Sequence, residues 1–263
     1  MNPTDLQKPQ AVASVEVKAL IDVLARRARQ AARGLAVAPT RKKNAALLGM
    51  AAVFRADLGR IQRENARDLE AGRAVGLSAS ILDRLTLSDK RIEEMADALE
   101  RVAALDDPVG EVVEMKVLPN GIQLGRMRVP IGVIGIIFES RPNVTADAGC
   151  LCLKSGNAVI LRGGKEAFHS NMILAELMDQ AIRQAGLPEG CVQLVPTIDR
   201  AAVDELLQRG DLVDLIIPRG GKSLIERVVA VSRIPVIKHY DGNCYLYLDA
   251  SADPLMALTI TLN

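Results

Sequence analysis

Over the first 105 residues apolar positions return at three- and four-residue steps, with almost no strand-like alternation, and this predicts helices over 12–35, 42–69 and 88–105. In the second of these, Leu47, Leu48, Ala51, Phe54, Leu58 and Ile61 share one apolar face. Ser88 can accept an amide hydrogen bond at the start of the third, and Asp89 puts negative charge in its first turn. The period changes after Pro108. Val113, Met115 and Val117 alternate with Glu114 and Lys116, as in a strand with two unlike faces. Asn120-Gly121 can take the positive dihedral angles of a tight turn, and 122–129 returns as the partner strand. A lone two-stranded ribbon is marginal, so this hairpin is expected to extend from the main domain and lie against another sheet or another subunit.

From Ile131 onward, short apolar runs alternate with stretches long enough for helical crossovers. Strands are expected at 133–138, 158–161, 192–195, 215–217 and 236–237, which makes the fold class α/β with an open parallel sheet. Gly186-Leu187-Pro188 ends the helix that begins near Ala167. A last strand at 244–248 and a short helix at 253–262 follow. Three regions result: helical 1–107, hairpin 108–130 and a Rossmann-like 131–263.

Composition narrows the function. The chain has 263 residues, 49% of them hydrophobic, and a formal charge of +1, which supplies a core but no global field for nucleic acid or an anionic membrane. Phe, Trp and Tyr make up 2%, too few for base-stacking platforms. The first ten residues lack the basic and apolar pattern of a secretory signal, and no apolar segment reaches the roughly 18 residues of a membrane span. Cys150, Cys152, Cys191 and Cys244 form no CxxC pair, and with His169 and His239 the sole histidines no metal site is expected.

Two glycine-and-cation loops close predicted strands: Arg162-Gly163-Gly164-Lys165 and Arg219-Gly220-Gly221-Lys222-Ser223. Glycine permits close backbone approach and the cations can meet phosphate, while the helix after the second loop can direct free amides at a pyrophosphate. Either loop alone can be a mere turn with exposed charges; both at strand ends of one open sheet favour a phosphorylated cofactor. GxGxxG is absent, and the early glycine of a P-loop is replaced by Ile216, which disfavours ATPase chemistry. Lys165 can meet the 2′-phosphate of NADPH or simply start a helix. After the apolar run 130–137 comes Phe138-Glu139-Ser140-Arg141-Pro142-Asn143, where Pro142 can pre-form a helical turn and Asn143 can donate to a developing oxyanion or cap its own loop.

These segments resemble the glutamate-5-semialdehyde dehydrogenase family, the gamma-glutamyl phosphate reductases of the aldehyde dehydrogenase superfamily. The resemblance is carried by Gly76-Leu77-Ser78, by Leu82-Asp83-Arg84-Leu85, by 128–135, by Phe138 to Val144, by 153–166 and by Ile217-Pro218-Arg219-Gly220-Gly221. It implies an aldehyde dehydrogenase-like open sheet with N-terminal helices and a protruding hairpin, most of the C-terminal catalytic domain lying outside this chain. The implied reaction is NADPH-dependent reduction of L-glutamate 5-phosphate to L-glutamate 5-semialdehyde with phosphate release, the second step of proline biosynthesis. A cysteine thiolate attacks the acyl phosphate, an oxyanion forms, phosphate leaves and NADPH delivers hydride to the thioester. By the same resemblance Asn143 is the oxyanion donor, Arg162, Gly163, Gly164 and Lys165 the adenosine-side loop, and Arg219, Gly220 and Gly221 the pyrophosphate loop. It also implies a homo-oligomer, a cytoplasmic location and glutamate 5-kinase as a candidate partner. The family's nucleophilic cysteine follows an Ala-Lys-Thr-Gln-Arg-Pro-like stretch expected beyond Asn263, so this chain alone is expected to be inactive. The alternative is a nucleotide-binding or structural interaction fragment.

Overall fold

The computed structural model describes residues 8–238 and 245–262. Helices α1 (Lys8–Ala36), α2 (Thr40–Ala56), α3 (Leu58–Ala74), α4 (Ala79–Leu85) and α5 (Asp89–Ala104) precede a hairpin of β1 (Val112–Val117) and β2 (Gln123–Met127). Then follow β3 (Val133–Phe138), α6 (Asn143–Lys154), β4 (Ala158–Arg162), α7 (Phe168–Gln184), β5 (Val192–Leu194), α8 (Ala201–Leu207), β6 (Leu215–Arg219) and α9 (Lys222–Val231). The second described stretch holds α10 (Pro254–Leu262). No helix among the described residues is long and apolar enough to cross a membrane.

The main sheet is parallel, in the order β5-β4-β3-β6. Chain order runs outward from β3 to β5 and then returns to the other flank of β3, so the direction of winding reverses between β3 and β6. All six residues of β3 are buried, because α1 packs on one face of the sheet and α6 on the other. Helices α2, α3 and α5 form an outer layer over α6 and α7, and one continuous core runs from Ile21 through Phe54 to Val228.

The predicted helix over 42–69 is two helices. At Asp57 the backbone leaves helical geometry (φ −100°, ψ 21°), and its carbonyl accepts from Arg60 and Ile61 to start α3. Leu48, assigned to the apolar face, is 50% exposed. Helix α4, not anticipated, starts at Ser78, whose hydroxyl accepts from the Ile81 amide. Ser88 caps α5 as expected, accepting from the Arg91 amide at 3.3 Å.

The hairpin forms, but in its turn Gly121 has a positive φ (85°) and Asn120 does not; the Asn120 side chain instead accepts from the Ile122 amide. Both faces of both strands are exposed, so the alternation of 113–117 does not divide a buried side from a wet one, and no other described sheet covers the ribbon. The strand expected at 236–237 is reduced to a single parallel bridge from Val236 to Ile216. Residues 245–248 form no strand: Tyr245 is 88% exposed, and no described neighbour offers the segment a ladder to join. Cys244, the first residue of that expected strand, lies outside the described residues.

A buried charge cluster ties the helical layer to the sheet. Lys43, 1% exposed, pairs with Asp107 and donates to the Lys154 carbonyl at 3.2 Å. The Lys154 ammonium donates to Asn44 (2.7 Å) and to the Ala103 carbonyl (2.9 Å). Thr40 and the Val109 amide complete the shell of Asp107. Burial works to raise the Asp107 pKa, but hydrogen bonds from Lys43, Thr40 and Val109 outweigh it and hold the group below its ordinary value of 3.8. The stabilisation is therefore complete above that ordinary value and is lost as pH falls through the depressed one. Lys43→Met, which strands the carboxylate, is expected to lower the unfolding free energy at neutral pH by about 3 kcal/mol. Urea titrations should show this deficit shrinking in acid, where wild type loses the same interaction.

Candidate cofactor site at the sheet's carboxyl rim

Strands β3, β4 and β6 end on one rim, which brings the two glycine-and-cation loops to either side of the segment after β3. Phe138 lies in register with Arg219, and Ile137 with Arg162. A cleft of about 560 Å³ opens between β3 and β6, lined by Glu139, Ser140, Arg141, Arg219, Gly220 and Gly221 and by Arg84 of α4. A second, of about 370 Å³, lies toward β4 and includes Arg162, Gly164, Lys165, Arg200, Ser223 and Arg227. Phe138 and Glu139 line both.

Local packing explains the glycines. A Cβ on Gly163 would sit 2.2 Å from the Asn171 side-chain nitrogen and 3.1 Å from the Phe138 ring. Asn171 is itself fixed, accepting from the Thr145 hydroxyl at 2.9 Å in a fully buried contact. The start of α7 is held by Asp68, which accepts from the amides of His169 (3.0 Å) and Ser170 (2.8 Å) and from the Ser170 hydroxyl (2.6 Å). In the other loop, a Cβ on Gly220 would lie 2.6 Å from the Glu139 carboxyl carbon.

The charges divide into spent and available groups. The Arg162 guanidinium donates to the carbonyls of Gly163 (3.0 Å) and Ile198 (3.1 Å), leaves its buried Nε without a partner, and has its pKa lowered by burial. It braces the loop. Lys165 is exposed, and no described residue pairs with its ammonium. Glu139 accepts from the Gly221 amide at 3.0 Å, whereas the Lys222 and Ser223 amides at the start of α9 have no acceptor among the described residues. Those two amides, the open space over Gly221 and the exposed Lys165 suit a phosphorylated dinucleotide laid along the two clefts.

Asn143 does not line either cleft. It begins α6 after Pro142, which holds helical geometry (φ −58°, ψ −35°), and faces a third cleft of about 310 Å³. One of its side-chain N–H groups donates to Asp147 at 2.9 Å, and the other has no partner among the described residues. Burial raises the Asp147 pKa, and the Asn143 hydrogen bond opposes that shift. Cys150, Cys152 and Cys191 are buried, and desolvation pushes each thiol up to about 12. None of the three has the depressed pKa of a nucleophile.

A doubly wound sheet with clefts at the winding reversal is an open α/β fold, whose ligands bind beyond the carboxyl ends of its strands. The model of the aldehyde dehydrogenase family matches residues 1–261, and the chain belongs to that family. It is 56% identical over 248 residues to a gamma-glutamyl phosphate reductase of Rhodospirillum rubrum, an alignment covering 94% of this chain and 58% of that relative. The crystal structure of gamma-glutamyl phosphate reductase from Thermotoga maritima superimposes with a TM-score of 0.85 at 40% identity, over 92% of this chain and 59% of that one. The enzyme from Saccharomyces cerevisiae gives 0.78 at 35% identity, over 92% and 62%. The chain thus spans about three fifths of the length of these relatives.

Sequence reading missed the residues that shape the loops. Asn65 and Asp68 had a signal: they continue the buried stripe of Ile61 along α3, where polar residues need partners. Asn171 had none, since its role depends on a contact with a distant glycine. Gly163→Ala is expected to displace Asn171 and lower the unfolding free energy by about 2 kcal/mol, measured by denaturant titration. Thiol titration of the native chain near pH 8 should leave Cys150, Cys152 and Cys191 unmodified until denaturant is added; rapid native labelling of any of them would contradict their burial.

Proposed function

We propose that this chain carries the NADPH-binding part of a gamma-glutamyl phosphate reductase. That enzyme reduces L-glutamate 5-phosphate to L-glutamate 5-semialdehyde with release of phosphate, the second step of proline biosynthesis, in the cytoplasm. The observation that carries this reading is the meeting of both glycine-and-cation loops at one rim beside Glu139, within a chain 56% identical to such a reductase. Bound NADPH supplies hydride. The residues here bind, orient and stabilise: amides of Lys222 and Ser223 and the Arg219-Gly220-Gly221 loop receive the pyrophosphate, and Lys165 receives the 2′-phosphate. The Arg162-Gly163-Gly164 backbone gives the adenosine half its wall. Asn143, oriented by Asp147, supplies the oxyanion N–H.

The thiolate required by this chemistry does not come from Cys150, Cys152 or Cys191, whose pKa values of about 12 leave them protonated at neutral pH. Binding of the cofactor is the part of the reaction assigned to the described residues of this chain. Exposed Val113, Met115, Val117 and Leu124 on the hairpin suit self-association, because an uncovered apolar ribbon gains by adding to a sheet of a second copy. Glutamate 5-kinase, which would supply the acyl phosphate, is the proposed functional partner.

Fluorescence titration should detect NADPH binding with NADPH preferred over NADH, and Lys165→Ala should reduce that preference about tenfold. An unchanged preference would remove Lys165 from the 2′-phosphate site. Glu139→Gln keeps an acceptor for the Gly221 amide but deletes the negative charge beside the pyrophosphate, and is expected to tighten NADPH binding several-fold at low salt, the gain fading as salt rises. Absence of NADPH binding by the folded chain would overturn the reading.

A further inference from the structure

We propose that Arg84 and Arg141 form a second anion site that holds the phosphoryl group of an acyl-phosphate substrate, apart from the pyrophosphate of the cofactor. This rests on the reductase reading above. The observation is a shared wall: among the described residues, Arg84 and Arg141 are the two that line both the β3–β6 cleft and the cleft that contains Asn143. One comes from α4, the other from the loop between β3 and α6. Neither guanidinium has a hydrogen bond or an ion pair with any described residue.

The surrounding carboxylates do not neutralise them. Asp83 is held by both oxygens on Arg91, at 3.1 and 3.0 Å. Glu94 faces Lys90, Asp147 is bonded to Asn143, and Glu139 is turned to the Gly221 amide. Two neighbouring guanidinium groups without a counter-ion repel each other, and each presents a planar fork suited to a phosphate. Of the α9 amides proposed to receive the cofactor's pyrophosphate, neither that of Lys222 nor that of Ser223 belongs to a residue lining either of these two clefts, so the wall is left for another anion.

Position selects the acyl phosphate. For the thiolate to add and hydride to follow, the carbonyl oxygen must approach Asn143 with its carbon open to the cofactor cleft, and until phosphate leaves the phosphoryl group is one anhydride oxygen away from that carbon. The partition between the two clefts is where that group falls. The same pair would retain inorganic phosphate after release, which makes phosphate a usable probe.

The test titrates inorganic phosphate into the folded chain, followed by ³¹P line broadening, for wild type, Arg84→Gln, Arg141→Gln and Arg141→Lys, each checked by thermal melting. The expected result is that each Gln variant weakens phosphate binding about tenfold, with Arg141→Lys in between and NADPH affinity within about twofold of wild type. L-Glutamate, which has carboxylates but no phosphoryl group, should displace phosphate poorly. The proposal is overturned if wild type binds no phosphate, if the Gln variants bind it equally well, if NADPH affinity falls in parallel with phosphate, or if L-glutamate competes as strongly. Phosphate held at the two arginines by a chain that binds no NADPH would support this site while removing the cofactor reading.

Discussion

The double pairing of β3 governs the geometry of the rim. One edge of this strand bonds to β4 and the other to β6, in registers that set Ile137 beside Arg162 and Phe138 beside Arg219. Both its faces are buried, so a slip of one residue would turn every side chain into the wrong layer of the core. Two loops more than fifty residues apart in sequence are thereby fixed on the two flanks of Glu139. Their convergence follows from the ladder and needs no contact between the loops themselves.

Positive charge at the rim is then sorted by what each group already touches. Arg162 is engaged with backbone carbonyls and shapes its loop, Arg227 is paired with Asp204, and Lys165 stands exposed without a described partner. Glu139 takes one of the amides at the head of α9, which puts a negative charge where a pyrophosphate would be drawn. A cofactor that binds here contends with that carboxylate. The arrangement favours a ligand able to reach several donors at once over a small anion competing for one amide.

The four strands of the main sheet, the break at Gly186 and the Ser88 cap were legible because each depends on a local rule of period, backbone angle or capping. The position of the two loops at strand ends was legible as composition, and that of Asn143 at a helix start from the preceding Pro142. What escaped were consequences of distant contact. The long helix read over 42–69 breaks at Asp57, where an apolar face continuing through Leu58 and Ile61 concealed a change of direction. The segment 245–248 has the alternation of a strand but no ladder to join, and alternation reports a preference for pairing without supplying a partner. Arg162 reads in sequence as a phosphate ligand, whereas its burial and its two carbonyl partners are set by the fold.

The N-terminal helices are tied to the rim of the sheet through a chain of buried polar contacts. Asn65 donates to the Leu85 carbonyl (2.7 Å) and to Ser170 (3.0 Å), and Asp68 three residues on takes the first amides of α7. That fixes where α7 starts, hence where Asn171 lies, and Asn171 together with Phe138 sets the space over Gly163. The Leu85 carbonyl bound by Asn65 is the last residue of α4, the helix that presents Arg84. One pair of side chains on α3 thus positions both the loop from Arg162 to Lys165 and the helix that carries Arg84 into the neighbouring cleft. Buried polar groups of this kind are costly when unpaired, so the helical layer and the rim hold their geometry together or lose it together.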